Sequence, residues 1–207
     1  MQIEGRVGVQ TLQDGAQQPP RLGHAGEIVV DDAHGHFYEA NYRAGLFIAS
    51  TPTAGVAPGT AFGTGQGAFA LYNPPGNTKN ACVKKASFTF LSGTLGAGIF
   101  AYGNAIQTVA PTGTLLTAKA GFIGNGASPT CSAYSACTVL ANAPSLIRAP
   151  WSVGALVTAA LIFPPLLDLV DDEIIVGPGN VLVLQEIGAA GTTPLGLFSM
   201  TWEEVPI

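Results

Sequence analysis

Short apolar runs broken by turn residues make up most of this chain. Runs rich in Val, Ile, Phe and Tyr alternate with clusters of Gly, Pro, Asn and Thr, which is typical of strands joined by turns. Residues 146–163 are long enough to hold more than one element. The predicted strands are residues 27–30, 36–41, 46–50, 68–72, 82–91, 98–109, 114–118, 146–163, 174–176, 181–187 and 195–203.

Alternation within these runs indicates which side chains face a core. In residues 87–90, Phe88 and Phe90 fall on one face of a strand, while Ser87 and Thr89 fall on the other. Many short strands with Gly and Pro turns predict an all-β fold, a jelly-roll-like two-sheet sandwich.

Three stretches do not fit the strand pattern as clearly. Residues 152–161 are the best helix candidate, but their Val, Thr and Gly content lowers helix propensity. Residues 51–67 and 121–136, rich in Gly, Thr and Ala, are predicted to be long surface loops, which are often contact regions.

The N-terminal segment has a different composition from the rest. It contains the polar, turn-rich run LQDGAQQPPRLGHAG, and Pro19-Pro20 favours an extended polyproline conformation. Because the segment has few large apolar side chains, it cannot form a core of its own. We therefore predict an extended arm over residues 1–32, with a flexible leader as the alternative, and one β-sandwich domain over residues 33–207. No apolar signal-peptide segment opens the chain, so we expect folding in a cytoplasm.

The charged residues are few and unevenly placed. Charged residues make up 10% of the chain, against about 25% in typical soluble domains. Residues 40–167 contain no Asp or Glu, so this stretch lacks the commonest general acids, general bases and hard-metal ligands. The stretch also lacks the charge that keeps a monomer soluble. This distribution disfavours an enzyme and favours a homo-oligomer with surfaces covered by its own copies.

Histidines near the arm are the best candidate for a metal site. His34 and His36 would share one face of a strand, and Asp31 or Asp32 could supply a third ligand. However, Gly35 between them is equally compatible with a turn. A surface or interface loop is therefore favoured over a metal site, and no cofactor is expected.

Other candidate chemistry is weak. No G-x-S-x-G elbow occurs, and the glycine-rich strings at 63–67 and 93–98 lack the Gly-Lys-Ser/Thr ending of a phosphate loop. Residues 171–173 (DDE) are predicted to form a solvated turn. Cys131 and Cys137 lie close enough in sequence for a local disulfide, but a cytoplasmic protein keeps thiols reduced. Aromatic platforms for sugars are possible at Tyr38, Tyr42, Tyr72, Tyr102, Tyr134 and Trp151, although core or subunit-interface positions are favoured.

Three segments resemble a known family when taken together. They are DAHGHFYEAN (32–41) followed by Gly45-Leu46-Phe47, LYNPPG (71–76), and WEEVPI (202–207) with Pro178-Gly179 before the strand at 181–184. This pattern is similar to virion structural proteins found in tailed-bacteriophage and prophage genomes, and it covers nearly the whole chain. The resemblance implies a trimeric β-sandwich virion component, and it carries over no catalytic residue.

Two functions remain open at this point. The first is a non-enzymatic capsid decoration or cement protein that stabilises the head lattice. The alternative is a tail fibre or tail-associated module that binds a host-surface glycan. A fibre should be longer or carry a repetitive shaft, so the sequence favours the head.

The expected partners are further copies of the chain, as a homotrimer, and the major capsid protein or other virion proteins. Neither a basic stripe for nucleic acid nor an apolar segment of about 20 residues for a membrane span is found. We expect the protein in the virion, assembled in the host bacterial cytoplasm. The arm is predicted to make the main contact, by adding a strand to an open edge of a neighbour. The predicted contact residues are Arg6, Val7, Val9, Leu12, Pro19, Pro20, Arg21, His34, His36 and Tyr38.

Overall fold

A computed structural model of the chain describes residues 35–157 and 165–207. The chain divides into two compact units, Met1–Tyr38 and Glu39–Ile207. The expectations for the N-terminal arm and for the strand at 27–30 lie outside the described residues. All the sheets described below belong to the second unit.

The strand predicted over residues 36–41 is wrong, because this part of the chain forms the short helix α1 (Tyr38–Tyr42). The backbone N–H of Gly45 donates to the Ala40 carbonyl at 2.9 Å, and that of Ala44 donates to the Asn41 carbonyl at 2.9 Å. Ala44 has a φ of 58°, so the helix ends in the left-handed conformation of a Schellman motif. The sequence FYEANY also lacks the alternation of a strand.

The remaining elements are strands, and the predicted all-β two-sheet sandwich is confirmed. In the described residues they are β1 (Leu46–Ser50), β2 (Gly67–Asn73), β3 (Lys79–Ser92), β4 (Thr94–Leu95), β5 (Gly98–Ile106), β6 (Thr112–Leu116), β7 (Lys119–Ala120), β8 (Ser132–Val139), β9 (Ser145–Val153), β10 (Leu156–Val157), β11 (Leu166–Leu169), β12 (Ile175–Val176), β13 (Asn180–Gly188) and β14 (Leu195–Pro206).

Two antiparallel sheets carry the fold. Sheet I has the strand order β7-β1-β14-β3-β11, with β12 also paired to β3. Sheet II has the order β6-β8-β2-β13-β5-β9, and β4 pairs with β10 in a separate ladder. The pair β3–β14 is the longest ribbon of sheet I, running from Lys79 opposite Pro206 to Ser92 opposite Leu195. Sheet I therefore spans from β7 at one lateral edge to β11 and β12 at the other.

Aromatic side chains from both sheets fill the space between them. The ring of Phe88 on β3 lies 4.1 Å from that of Phe100 on β5 and 4.8 Å from that of Phe198 on β14, measured between centroids. Trp202 is fully buried beside Phe47. The alternation predicted at residues 87–90 is confirmed, since Phe88 is buried and Phe90 packs against the same core. These contacts bury the inner face of each sheet.

Sheet II is covered on its outer face as well. A second apolar cluster includes Tyr72, Val181, Val183 and Leu140, with Phe62 packed against it. Phe62 belongs to the loop that runs from β1 to β2, so the surface loop predicted at 51–67 covers part of the sheet. Every residue of β2 is buried as a result.

Two further predictions need correction. The loop predicted over 121–136 ends early, because Ser132 already begins β8, which pairs with β2 on one side and β6 on the other. The long run at 146–163 contains β9 and β10, so its described part is strand, as the prediction of more than one element allows. No helix begins at residue 152 in this part of the chain, and residues 158–161 lie outside the described residues.

Candidate functional site: the two lateral edges of the sandwich

Most of the predicted contact residues cannot be placed. Eight of the ten lie outside the described residues: Arg6, Val7, Val9, Leu12, Pro19, Pro20, Arg21 and His34. His36 follows Gly35 in a turn, where its ring lies 4.7 Å from that of Phe37. Tyr38 begins α1 and is exposed. The predicted contact role of these ten residues therefore stays a prediction.

Three cations of the acid-free stretch, Lys79, Lys84 and Arg148, pair with carboxylates that follow it in the sequence. Lys79 lies 3.4 Å from Glu204, Lys84 lies 2.6 Å from Asp172 and 2.7 Å from Glu203, and Arg148 pairs with Asp168 and Glu173. These acids lie after the stretch in the sequence, on β11, on β14 and in the turn before β12, and the fold places them next to the three cations. The uneven charge distribution is thus balanced by long-range pairs that tie strands together.

Arg148 joins the edges of the two sheets. It lies on β9, the edge strand of sheet II, and its guanidinium donates to Asp168 on β11, an edge strand of sheet I. The buried Tyr102 donates its hydroxyl to the same carboxylate at 2.9 Å. Burial and the Asp168 charge both raise the pKa of Tyr102, so its hydroxyl stays protonated and keeps donating. This cluster closes one lateral side of the sandwich.

Lys84 occupies a buried position between two acids. Burial alone would lower its pKa, but hydrogen bonds to Asp172 and Glu203 raise it above the ordinary value. Asp171 and Asp172 have φ values of 46° and 69°, so the turn that presents Asp172 is built in the left-handed conformation. The turn predicted at 171–173 is confirmed, with an added structural role: it places Asp172 against Lys84 and Glu173 against Arg148.

Glu204 anchors the chain segment that leads into β8. Its carboxylate accepts hydrogen bonds from the backbone N–H groups of Thr130 and Cys131 at 2.8 Å each, and from the Thr130 hydroxyl at 2.7 Å. Burial would raise the pKa of Glu204, but these hydrogen bonds hold it below the ordinary value. The carboxylate is therefore committed to holding the loop and is charged at neutral pH.

Glu186 is also a buried acid, but its surroundings differ from those of Glu204. It follows Leu182 and Leu184 on the face of β13 that points to the core, and it is 1% exposed. Within the described residues its Oε1 has no hydrogen-bond partner, and burial raises its pKa to about 7. A carboxyl in this setting can gain or lose a proton near neutral pH.

Metal and thiol chemistry find little support in the described part of the chain. No group of three or more His, Cys, Asp or Glu side chains there could hold a metal ion. The metal reading of His34 and His36 cannot be tested, since His34 lies outside the described residues. Cys131 and Cys137 are free and buried in the two different apolar clusters, one on each face of sheet II, so they are not placed to pair.

Exposed apolar residues mark the lateral edge next to β7. After β7 the chain forms a turn in which the Asn125 N–H donates to the Phe122 carbonyl at 3.4 Å, and Gly124 has a φ of 93°. This turn presents Phe122 and Ile123, which are 48% and 90% exposed. We call residues 121–126 the apolar tip. The adjacent apolar pair between glycines was a signal in the sequence, but its exposure became visible only in the structure.

The opposite edge carries a cleft lined by both apolar and polar groups. A cleft of about 330 Å³ opens between β9 and β12, and we call it the edge cleft. Ile174, Val176 and Leu182 form its buried floor. Its rim combines partly exposed apolar and polar side chains: Ile147, Ile175, Asn104, Glu173 and Asn180. Ile147 is 47% exposed and Ile175 is 56% exposed.

The aromatic residues considered for sugar binding are mostly engaged elsewhere. Tyr72 and Tyr102 are buried in the apolar clusters, and Tyr134 and Trp151 pack against those clusters. Tyr38 and Tyr42 are exposed at α1. The core positions favoured for these aromatics are therefore confirmed for Tyr72 and Tyr102.

The search against protein-family models found no match, and the comparisons with curated proteins and with solved structures found none either. Among the described residues, no helix has the length and apolar character required to cross a membrane.

Proposed function

We propose that the protein is a non-enzymatic structural component of a tailed-phage virion, namely a capsid decoration or cement protein that acts as a homotrimer. The phage assignment is supported by the sequence resemblance. The assembly role is supported by the surface of the sandwich. On this proposal the chain folds in the host cytoplasm, binds further copies of itself and the major capsid protein, and uses no cofactor.

The observation that carries the proposal is the placement of exposed apolar side chains at both lateral edges. A well-packed sandwich has no internal reason to present Ile123 at 90% exposure on one edge and Ile175 at 56% on the other. Exposed apolar groups bordered by polar ones are typical of surfaces that bind another protein. Repetition of such modest contacts in a lattice strengthens binding through multivalency.

The ionisable groups of the sandwich support a structural role. Lys84, Arg148 and Glu204 each hold two segments of the chain together, and each is engaged by partners at hydrogen-bond distance. A catalytic group needs room for a substrate atom within hydrogen-bond reach. The polar atoms of these three groups are instead occupied by hydrogen bonds and ion pairs within the chain, which favours a role in stabilising the fold.

The arm is assigned the main contact with the capsid. Its proline pair lowers the entropy lost on docking, and Val7, Val9 and Leu12 can add a strand to an open edge of a neighbour. Deletion of residues 1–26 should leave a folded oligomer that no longer enters particles. Normal incorporation of the truncated chain would show that the sandwich surface holds the capsid contact.

Copy number per particle tests the position in the virion. Quantitative mass spectrometry of purified particles against the major capsid protein should give hundreds of copies if the chain decorates the head lattice. A dozen copies or fewer would place it in the tail and favour the glycan-binding alternative. Absence from purified particles would contradict the virion role.

A further inference from the structure

We propose that the copies join head to tail, with the apolar tip of one copy inserted into the edge cleft of the next. This inference rests on the proposed self-assembly and names the two surfaces that carry it. Both surfaces belong to the described part of the second unit, and they are two different patches on one chain.

The tip and the cleft lie at the same level of the sandwich, on opposite edges of sheet I. Gly121, at the base of the tip, donates its N–H to Leu46. Leu46 lies opposite Glu203, Glu203 opposite Cys82, and Cys82 opposite Ile175 at the rim of the cleft. A single row across the strands thus joins the two patches, at about 4.8 Å for each strand.

Their chemistry is complementary. The tip offers two apolar side chains in a stretch without charge, since no charged residue occurs between Lys119 and Arg148. The cleft offers an apolar floor with a polar rim and about 330 Å³ of space. An apolar centre surrounded by polar groups is the usual anatomy of a protein interface. Two local hydrogen bonds shape the tip: the Asn125 N–H donates to the Phe122 carbonyl at 3.4 Å, and the Ala127 N–H donates to the Asn125 side chain at 2.9 Å.

The equal level of the patches determines the kind of assembly. A contact between two different surfaces is heterologous, and it repeats from copy to copy until a rotation closes it into a ring. Patches at one level need no displacement along the strand direction, so a ring of three or more copies can close. A two-fold dimer through one shared patch does not use this contact.

Paired substitutions on the full-length chain test the proposal. Ile123→Lys disables the tip and leaves the cleft intact, while Ile175→Lys disables the cleft and leaves the tip intact. Both side chains are largely exposed, so neither change should unfold the sandwich, which circular dichroism and the melting temperature will check. Leu115→Lys, at a 63% exposed position on the other edge strand of sheet II, is the matched control.

Light scattering after size-exclusion chromatography should give the mass of three or more copies for the wild type and the control, as a ring requires, and the mass of a monomer for each variant. We expect self-association to weaken by more than about tenfold in each variant. The equimolar mixture of the two variants should form dimers and nothing larger, because one intact tip meets one intact cleft.

The outcomes separate this inference from the proposed function. A wild-type ring that persists in both variants would overturn the tip-and-cleft contact and leave self-assembly standing. A mixture that stays monomeric, or dissociation by only one of the two substitutions, would also overturn it. A monomeric wild type would overturn both the contact and the self-assembly.

Discussion

Replacement of Glu186 by glutamine should leave the stability of the protein unchanged below pH 4.5 and raise it progressively as the pH rises to 7 and above. The carboxyl is 1% exposed and its Oε1 has no partner within the described residues. Its neutral form suits this position better than its charged form, because burial removes water from the carboxyl and no described residue donates a hydrogen bond to Oε1 in exchange. Glutamine imitates the neutral form at every pH.

The size and sign of the effect follow from the pKa. Burial raises the pKa of Glu186 from 4.5 to about 7 in the folded state. Below pH 4.5 the group is protonated whether the chain is folded or unfolded, so wild type and variant should be equally stable. Between pH 4.5 and 7 only the unfolded state loses its proton, so wild-type stability falls. Above pH 7 the loss is complete, at about 3 kcal/mol.

Equilibrium urea unfolding, followed by tryptophan fluorescence at a fixed chain concentration, measures this difference from pH 4 to pH 8. The free energy of unfolding of Glu186→Gln minus that of wild type should rise from near zero to about 3 kcal/mol. A difference that stays constant across this range would refute the reasoning. A variant less stable than wild type at pH 8 would show that the charged carboxylate has a stabilising partner.

Three further results are expected. Glu204→Gln should lower the free energy of unfolding in urea by about 3 kcal/mol at pH 7, since it disrupts a buried carboxylate that accepts several hydrogen bonds. Because the pKa of Glu204 is lowered in the folded state, the difference from wild type should shrink as the pH falls below 4.5 and through the folded-state pKa. A difference that does not change with pH would contradict this. Phe88→Ala should cost about 4 kcal/mol by opening a cavity between the sheets, and a loss below about 1 kcal/mol would place Phe88 outside the core. Burial raises the pKa of Cys131 to about 12 and that of Cys137 to about 11, so both thiols should resist a disulfide reagent at pH 8 until the protein unfolds, whereas rapid labelling of the native protein would contradict their burial.

The strand content of the fold could be predicted wherever large apolar side chains alternate. Phe88 and Phe90 indicate the core face of β3, and the runs at 68–72 and 181–187 correspond to β2 and β13. β8 was missed because its sequence, SAYSACTV, consists mainly of small and polar residues. Its strand character depends on ladders to β2 and β6, which no local pattern contains.

The candidate site was harder to predict because it depends on contacts between distant segments. The sequence shows that Arg148 and Lys84 lie in a stretch without acids, but not that Asp168 and Asp172 return to pair with them. The apolar tip was visible as a pair of residues between glycines. The edge cleft was not, because it forms only when folding brings Ile147 of β9 and residues 173–177 to the same edge of the sandwich.

The mass of the full-length chain in solution tests the central claim most directly. Sedimentation equilibrium at micromolar concentration measures that mass without any labelled or altered residue. The account predicts a single species of three or more copies, with a trimer as the expected form, because the proposed head-to-tail contact would cover apolar side chains that are exposed among the described residues of one copy. A stable, soluble monomer over the same concentration range would contradict the account.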